Sequence, residues 1–151
     1  MLTYHKMNET EMKIIVDWKY EGVYAQYDMM PYEEMQKKHF AFANPENHYY
    51  TFYEGTEIAG FINLYEEETR VFFGIGAAPQ MCSHGYGVQM CRQAVQIASQ
   101  EFPGKPLYLE VRTWNERAIR CYEKAGFVQV PGIIEQETYA GKGEFVQMIS
   151  Q

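Results

Sequence analysis

Two segments of this chain carry residue types and spacings suited to chemistry. The first runs Ile75-Gly76-Ala77-Ala78-Pro79-Gln80-Met81-Cys82-Ser83-His84-Gly85-Tyr86-Gly87. A strand pattern ends here and a glycine-containing turn feeds a helix. The first four N–H groups of a helix have no intrahelical partner, and its macrodipole puts about half a positive charge at that end. Glycine removes the Cβ that would hold a ligand away. Together these features make an anion site without a basic side chain, of the size that suits a phosphate or pyrophosphate. Taken alone, Gly85-x-Gly87 suits an unliganded turn better. It is not a dinucleotide fingerprint, because residue 90 is Met, and no Lys-Ser/Thr follows the glycines as in a nucleotide-phosphate loop. Gly74 and Gly76 lie inside the preceding strand, where glycine marks a bulge or a close approach by ligand or backbone.

The second segment is Asn115-Glu116-Arg117-Ala118-Ile119-Arg120-Cys121-Tyr122-Glu123-Lys124-Ala125-Gly126-Phe127. Asn115 suits a helix N-cap, and Gly126 stands where a helix C-terminus needs a positive φ. At 3.6 residues per turn Asn115, Ala118, Tyr122 and Ala125 share a face. The small Ala118 and Ala125 leave room around the Tyr122 phenol, which reads either as a half-buried core group or as a proton donor.

The elements that must position these segments follow from periodicity. Residues 2–7 form a short strand. Asn8 with Glu11 makes a capping box ahead of the stripe Met12, Ile15, Val16 and Trp18. A second helix starts near Pro31 and ends by Asn44-Pro45. Strands 48–54 and 57–66 flank a turn at Glu54-Gly55-Thr56-Glu57 and make a hairpin. A strand over 69–77, a helix over 85–101, a strand over 106–112 and a short helix over 115–125 come next. Strands at 127–130 and 143–149 close the chain. The order is that of an α+β domain, a mostly antiparallel sheet with one crossover through the 85–101 helix.

Composition narrows the function classes. The 151 residues suit one domain, 46% are apolar, and thirteen Tyr, nine Phe and two Trp bring the aromatic share to 16%. The formal charge of -7 argues against nucleic-acid binding and against docking on an anionic membrane. All of that excess lies in residues 1–75, with 13 acids against 6 bases, while residues 76–151 carry 7 of each. Cys82, Cys91 and Cys121 are an odd number without a C-x-x-C pair, and the four His are scattered, so neither a disulfide framework nor a zinc site is expected. The polar N-terminus lacks signal-peptide character and no apolar run approaches a membrane span, which makes the cytoplasm the expected compartment.

The two segments, in this order and with strand 106–112 between them, resemble the GCN5-related N-acetyltransferase (GNAT) superfamily. Its first signature, Arg/Gln-x-x-Gly-x-Gly/Ala after a strand, is met at Gly85 and Gly87, with Pro79 also fitting. It departs at Cys82, where the family has Arg or Gln, and at Ser83, often Gly. The later Asn-x-x-Ala-x-x-x-Tyr-x-Lys-x-Gly-Phe is met at Asn115, Ala118, Tyr122, Lys124, Gly126 and Phe127. The element order matches along nearly the whole chain. The resemblance implies an acyl-CoA N-acyltransferase fold: a central mixed, mostly antiparallel twisted sheet of about seven strands with about four helices, in one domain over residues 1–151.

It also implies a site. Acetyl-CoA, as cosubstrate and with no metal, would lie where strands 69–77 and 106–112 splay apart. Main-chain groups of Ile75, Gly76 and Ala77 would pair with its pantetheine arm. The amides of Ser83, His84, Gly85, Tyr86, Gly87 and Val88 would hold the pyrophosphate. Asn115 would hydrogen-bond the pantetheine, and Tyr122 would protonate the leaving thiolate as catalytic acid. Arg92, Arg117, Arg120 and Lys124 are candidates for the nucleotide 3′-phosphate, against the alternative of ordinary helix-surface charge. The acceptor pocket falls near the first two helices, among Trp18, Tyr20, Tyr24, Tyr27 and Tyr32 with Glu21 and Asp28. Aromatic faces beside carboxylates favour a cation, so the expected partner is a small-molecule or peptide amine; Trp18, Tyr24 and Tyr27 are the substrate residues singled out. The same aromatics could instead pack under a loop. Glu110 shares a strand face with Tyr108 and Arg112 and is expected to form a solvated pair with Arg112. Dimers are common in the family, so a homodimer is open to the chain. The rival reading is a catalytically silent acyl-CoA-binding domain on the same scaffold.

Overall fold

A computed structural model describes residues 2–82 and 84–150. Seven strands and four α-helices alternate in the order expected: β1 (Thr3–Lys6), α1 (Glu9–Ile15), α2 (Tyr32–Lys38), β2 (His48–Glu54), β3 (Glu57–Glu66), β4 (Val71–Ala77), α3 (Tyr86–Glu101), β5 (Leu107–Arg112), α4 (Glu116–Lys124), β6 (Val128–Thr138) and β7 (Gly141–Ile149). Short 3-10 turns at Gly22–Tyr27, Ala41–Ala43 and Pro79–Met81 complete the path. All strands join one sheet in the order β1-β2-β3-β4-β5-β7-β6. Among the described residues only β4 and β5 run parallel, and α3 makes the crossover between them. The second helix is shorter than its sequence suggests, because His39 and Ala41 both take positive φ and break it. The strand expected over 127–130 extends to Thr138, pairing with β7 on both sides of an irregularity between Val130 and Ile134.

Each face of the sheet buries its own apolar cluster. One face packs Phe52, Ile62, Leu64, Val71, Phe73, Leu107 and Leu109 against Met90, Cys91, Ala94, Ile97 and Ala98 of α3. Those helix positions recur at three- and four-residue spacing, the stripe that a sheet can cover. On the other face Phe61 meets Met7, Ile15, Val16, Met30, Met35 and Phe42 from the first two helices and their connections.

Glu11 pins α1 to the sheet edge. It completes the capping box with Asn8, taking the Asn8 main-chain N–H at 3.0 Å while its own N–H donates to the Asn8 side chain at 2.9 Å. Its carboxylate also accepts from Thr51 at 2.8 Å, Tyr53 at 2.5 Å and His5 at 2.6 Å. Burial by itself would raise the carboxyl pKa, but the bonds from Tyr53, Asn8, Thr51 and His5 together hold it below its ordinary value. A carboxylate with a depressed folded pKa stabilises above its unfolded pKa, about 4.3, and that contribution is lost as pH falls through the folded value. Replacing Glu11 with Ala should therefore cost about 1–3 kcal/mol at neutral pH. Urea titrations of both proteins should show the gap closing as the pH drops below about 4.

Candidate active site

The register between β4 and β5 covers only Val71 with Leu107 and Phe72 with Tyr108. Beyond Phe72 the strands part: β4 stays with β3 to its end, and β5 pairs with β7 from Tyr108 to Arg112. Which main-chain groups this leaves open follows from the alternation along a strand. The Val71 N–H donates to Pro106 on the β5 side, and the Ala78 N–H donates to Ala59 on the β3 side. The N–H and C=O of Phe73, Ile75 and Ala77 consequently point into the gap, and those of Gly74 and Gly76 point to β3.

The gap opens at one end into a groove of about 360 Å³, lined by Ile75, Ala77, Met81, Cys82, Gly85, Tyr86, Gly87, Val88, Arg117, Arg120, Cys121, Tyr122 and Lys124 among others. The N-terminus of α3 forms one wall. Gly85 is its N-cap with φ 80° and ψ 0°; among the described residues no side chain caps this end and its first turn holds no acid. The amides of that turn keep their hydrogen-bonding capacity, and the helix dipole acts on the groove unopposed. The opposite wall is α4. Gly87 sets how closely the two helices approach, since a Cβ there would lie 2.9 Å from the Cys121 sulfur.

A second cavity of about 300 Å³ lies on the other side of the gap, between the 3-10 turn Gly22–Tyr27, β4, β5 and β7. Its walls include Tyr20, Tyr24, Tyr27, Phe72, Glu110, Arg112, Asn115 and Phe145. Ile75, Ala77, Cys82, Arg117 and Tyr122 line both spaces, so the two meet at the Tyr122 ring. Burial, with smaller contributions from Cys91, Cys121 and Tyr27, pushes the Tyr122 phenol well above its ordinary pKa and keeps it protonated. The Tyr20 hydroxyl donates to the Ala77 carbonyl at 2.8 Å and ties the second cavity to the end of β4.

Most residues expected in the site are gathered there, and several have different duties. Asn115 is 7% exposed; it caps α4 by accepting from the Ala118 N–H at 3.2 Å and donates to the Tyr27 hydroxyl at 2.9 Å. It braces Tyr27 while retaining one amide donor. The Gly76 main chain serves β3 and not the gap, and a Cβ there would strike the Phe61 ring, although the residue itself lines the second cavity. Tyr24 and Tyr27 line the second cavity and flank Trp114, with ring centroids 5.6 and 5.9 Å from it, and Arg117 lies 4.4 Å over the Tyr24 ring. Trp18 sits elsewhere, against Phe61 in the second apolar cluster, and Tyr32 packs beside that cluster under Lys13. His84 is exposed and stacks on Tyr86 outside the groove lining. Ser83 lies outside the described residues. Arg92 spends a donor on the Lys124 carbonyl at the end of α4, whereas Arg120 and Lys124 line the groove.

The Glu110–Arg112 pair expected from the sequence does not form. Glu110 accepts from Gln136 at 2.8 Å and from Gln147 at 3.0 Å, and Arg112 donates to Thr138 at 2.9 Å. The β5 alternation had placed both residues on one face, and β6, β7 and the Gly22–Tyr27 turn cover that face instead of solvent. Trp114, Phe145, Gln136 and Gln147 went unnoticed in the sequence: Phe145 lines the cavity, Trp114 packs on Tyr24 and Tyr27, and the two Gln hold Glu110, and nothing local marks such long-range contacts. Glu21 and Asp28 also stand apart from the cavity lining; Asp28 accepts from the Tyr20 N–H at 2.9 Å. Among the described residues no group of three or more His, Cys, Asp or Glu converges as a metal site.

A sheet that parts beside a helix N-terminus leaves room for an extended ligand with an anionic group, and comparison with known proteins assigns the class. The chain belongs to the acetyltransferase (GNAT) family, whose model matches residues 11–127. It is therefore an acyltransferase. The spermidine N-acetyltransferase of Vibrio cholerae, solved in complex with CoA and spermine, superposes with a TM-score of 0.77 at 20% identity, over 98% of this chain and 93% of that one. A chimera of that enzyme with hSSAT gives 0.78 at 20% identity, over 99% and 94%. The same enzyme in complex with manganese ions gives 0.73 at 20%, over 98% and 91%. At these identities the likeness is one of fold. No curated protein sequence matches the chain.

Substituting Gly76 with Ala should destabilise the protein by about 1–3 kcal/mol through the clash with Phe61. Denaturant unfolding will register it, and the companion change Phe61→Leu should recover part of the loss.

Proposed function

We propose that the protein transfers an acetyl group from acetyl-CoA to a primary amine by direct attack within a ternary complex. The observation that carries this reading is the meeting of two cavities at Tyr122, one against an uncapped helix N-terminus and one with aromatic walls. The residues of the groove fit the cosubstrate. The α3 amides from Tyr86 to Val88 suit the pyrophosphate, and the open main chain of Phe73, Ile75 and Ala77 suits the pantetheine amides as a partial strand. When bound, acetyl-CoA supplies an activated thioester. The chain's own groups then polarise, deprotonate and protonate.

A neutral amine in the second cavity attacks the thioester carbonyl. An N–H facing the gap from β4 polarises that carbonyl. Glu110, held by two Gln amides, lines this cavity and is placed to take the proton the amine gives up. Tyr122 donates a proton to the departing thiolate, and its raised pKa keeps that proton available at neutral pH. The same reading takes residues 1–151 as one catalytic domain acting in the cytoplasm, without a metal or nucleic-acid partner. Among the described residues no helix is long and apolar enough to cross a membrane.

Changing Tyr122 to Phe should lower kcat about 10²–10⁴-fold while the acetyl-CoA affinity stays within a few-fold, as steady-state kinetics and calorimetric titration will show. The silent acyl-CoA-binding alternative is separated by thermal shift with acetyl-CoA, CoA and ATP, followed by thiol release with a panel of amines. Stabilisation by CoA species with no turnover on any amine would favour the alternative. Selective stabilisation by ATP would sink both.

A further inference from the structure

The second cavity holds a charge that the transfer chemistry does not use. Arg112, at the end of β5, lines this space and is 5% exposed. A guanidinium keeps its charge throughout the accessible pH range, and buried charges are ordinarily paired. Here every partner among the described residues is neutral. Nη2 donates to the Thr138 hydroxyl at 2.9 Å, and Cζ lies 4.8 Å from the centroid of the Phe145 ring. Thr138 passes its own proton to the Gly141 carbonyl at 3.1 Å. The neighbouring carboxylate of Glu110 is engaged by Gln136 and Gln147. Among the described residues Thr138 is the one hydrogen-bond acceptor that meets the guanidinium, which leaves donors for something else.

The surroundings are shaped for this side chain. A Cβ at Gly143 would collide with Nη1 of Arg112, so the bare backbone of β7 is what seats the guanidinium. Tyr27, which also lines the cavity, accepts from Asn115, and its own O–H proton meets no acceptor among the described residues. The cavity thus offers a buried guanidinium and a phenolic O–H with spare donors, and aromatic walls around them. Charged groups lining it are Arg112, Arg117 and Glu110. A buried guanidinium at Arg112 with spare donors works against a polyamine, which carries several positive charges.

Resting on the acetyltransferase reading above, we propose that Arg112 determines acceptor specificity by binding a carboxylate carried by the acceptor. The acceptor is then an amino carboxylate the size of an amino acid, and not a polyamine of the kind bound by the Vibrio cholerae enzyme of similar fold. The carboxylate docks on Arg112 with help from the Tyr27 hydroxyl. The amine lies back along β5 towards Glu110, whose position two residues away is roughly 7 Å along the strand. A charge-assisted, two-pronged contact of this type gives both affinity and orientation.

The test compares the common L-amino acids, each with its own carboxamide, and spermidine as acceptors for acetyl-CoA, followed by thiol release. The best amino acid should exceed its carboxamide by about tenfold or more in kcat/KM, with spermidine slower than both. In Arg112→Gln that preference should collapse to within about twofold through a higher KM, and Arg112→Lys should restore part of it. Equal rates for acid and amide in the unaltered protein, or spermidine as the best acceptor, would overturn the proposal and leave the acetyltransferase reading intact. Should no amine release thiol, that reading fails, and thermal shift of the CoA-loaded protein with the same acids and amides decides the binding question. Stabilisation by the acids alone, lost in Arg112→Gln, upholds it; no difference between acid and amide overturns it. If Arg112→Gln does not fold, the acid-against-amide comparison in the unaltered protein stands as the test.

Discussion

The parallel contact between β4 and β5 ends after Phe72 and Tyr108, beyond which neither strand completes the other's ladder. Main-chain N–H and C=O groups inside a protein must find partners, and an ordinary sheet would have used β5 to satisfy Phe73, Ile75 and Ala77. The departure of β5 towards β7 leaves that work undone. Tyr20 takes one of these groups, the Ala77 carbonyl. The groove that results draws its hydrogen-bonding capacity from backbone, at β4 and again at the start of α3.

Around the gap, side chains are arranged by dielectric as much as by shape. Tyr122 sits where burial keeps its phenol protonated. Beside it the Cys91 and Cys121 thiols interact, which raises the Cys91 thiol and, against the opposing effect of burial, lowers Cys121. The two thiols bridge α3 and α4 below the groove, at the closeness that Gly87 permits. On the far side Tyr27 is fixed by the amide that caps α4, so the start of one helix and the wall of the second cavity share a single side chain, Asn115.

Local chemistry made much of this legible before any coordinates. Asn8 and Glu11 announced a capping box, the hairpin turn at Gly55 set two strands, and the Asn115–Phe127 run marked both ends of α4. These signals are carried within a few residues, where capping and positive φ have chemical requirements. The segments leading into α3 also read as a strand, a glycine-containing turn and a helix, and the structure adds that Gly85 takes a positive φ there. What escaped were pairings over long range. Glu110 and Arg112 looked like a solvated pair because alternation shows which face a residue takes, and not what covers it. Trp18 looked like a cavity wall because it belongs to an aromatic run; the helix ending at Ile15 turns it instead onto Phe61. The charge asymmetry between the two halves of the sequence likewise did not map onto the second cavity, because Glu21 and Asp28 stand outside its lining while Arg112 and Arg117 come in from the later half.

Gly60 pairs with Ala77 and Gly76 with Phe61 across β3 and β4, and neither glycine has room for a methyl group. A Cβ on Gly60 would come within 2.5 Å of the Gly76 carbonyl and 2.7 Å of the Met90 side chain, and one on Gly76 would enter the Phe61 ring. In a map of tolerated substitutions these two positions would stand out as sharply as Tyr122, although neither has a functional group to lose. Intolerance there would report the volume claimed by Phe61 and Met90, one on each face of the sheet. The boundary of the site, drawn from such a map, would run through the packing that holds β3 to β4.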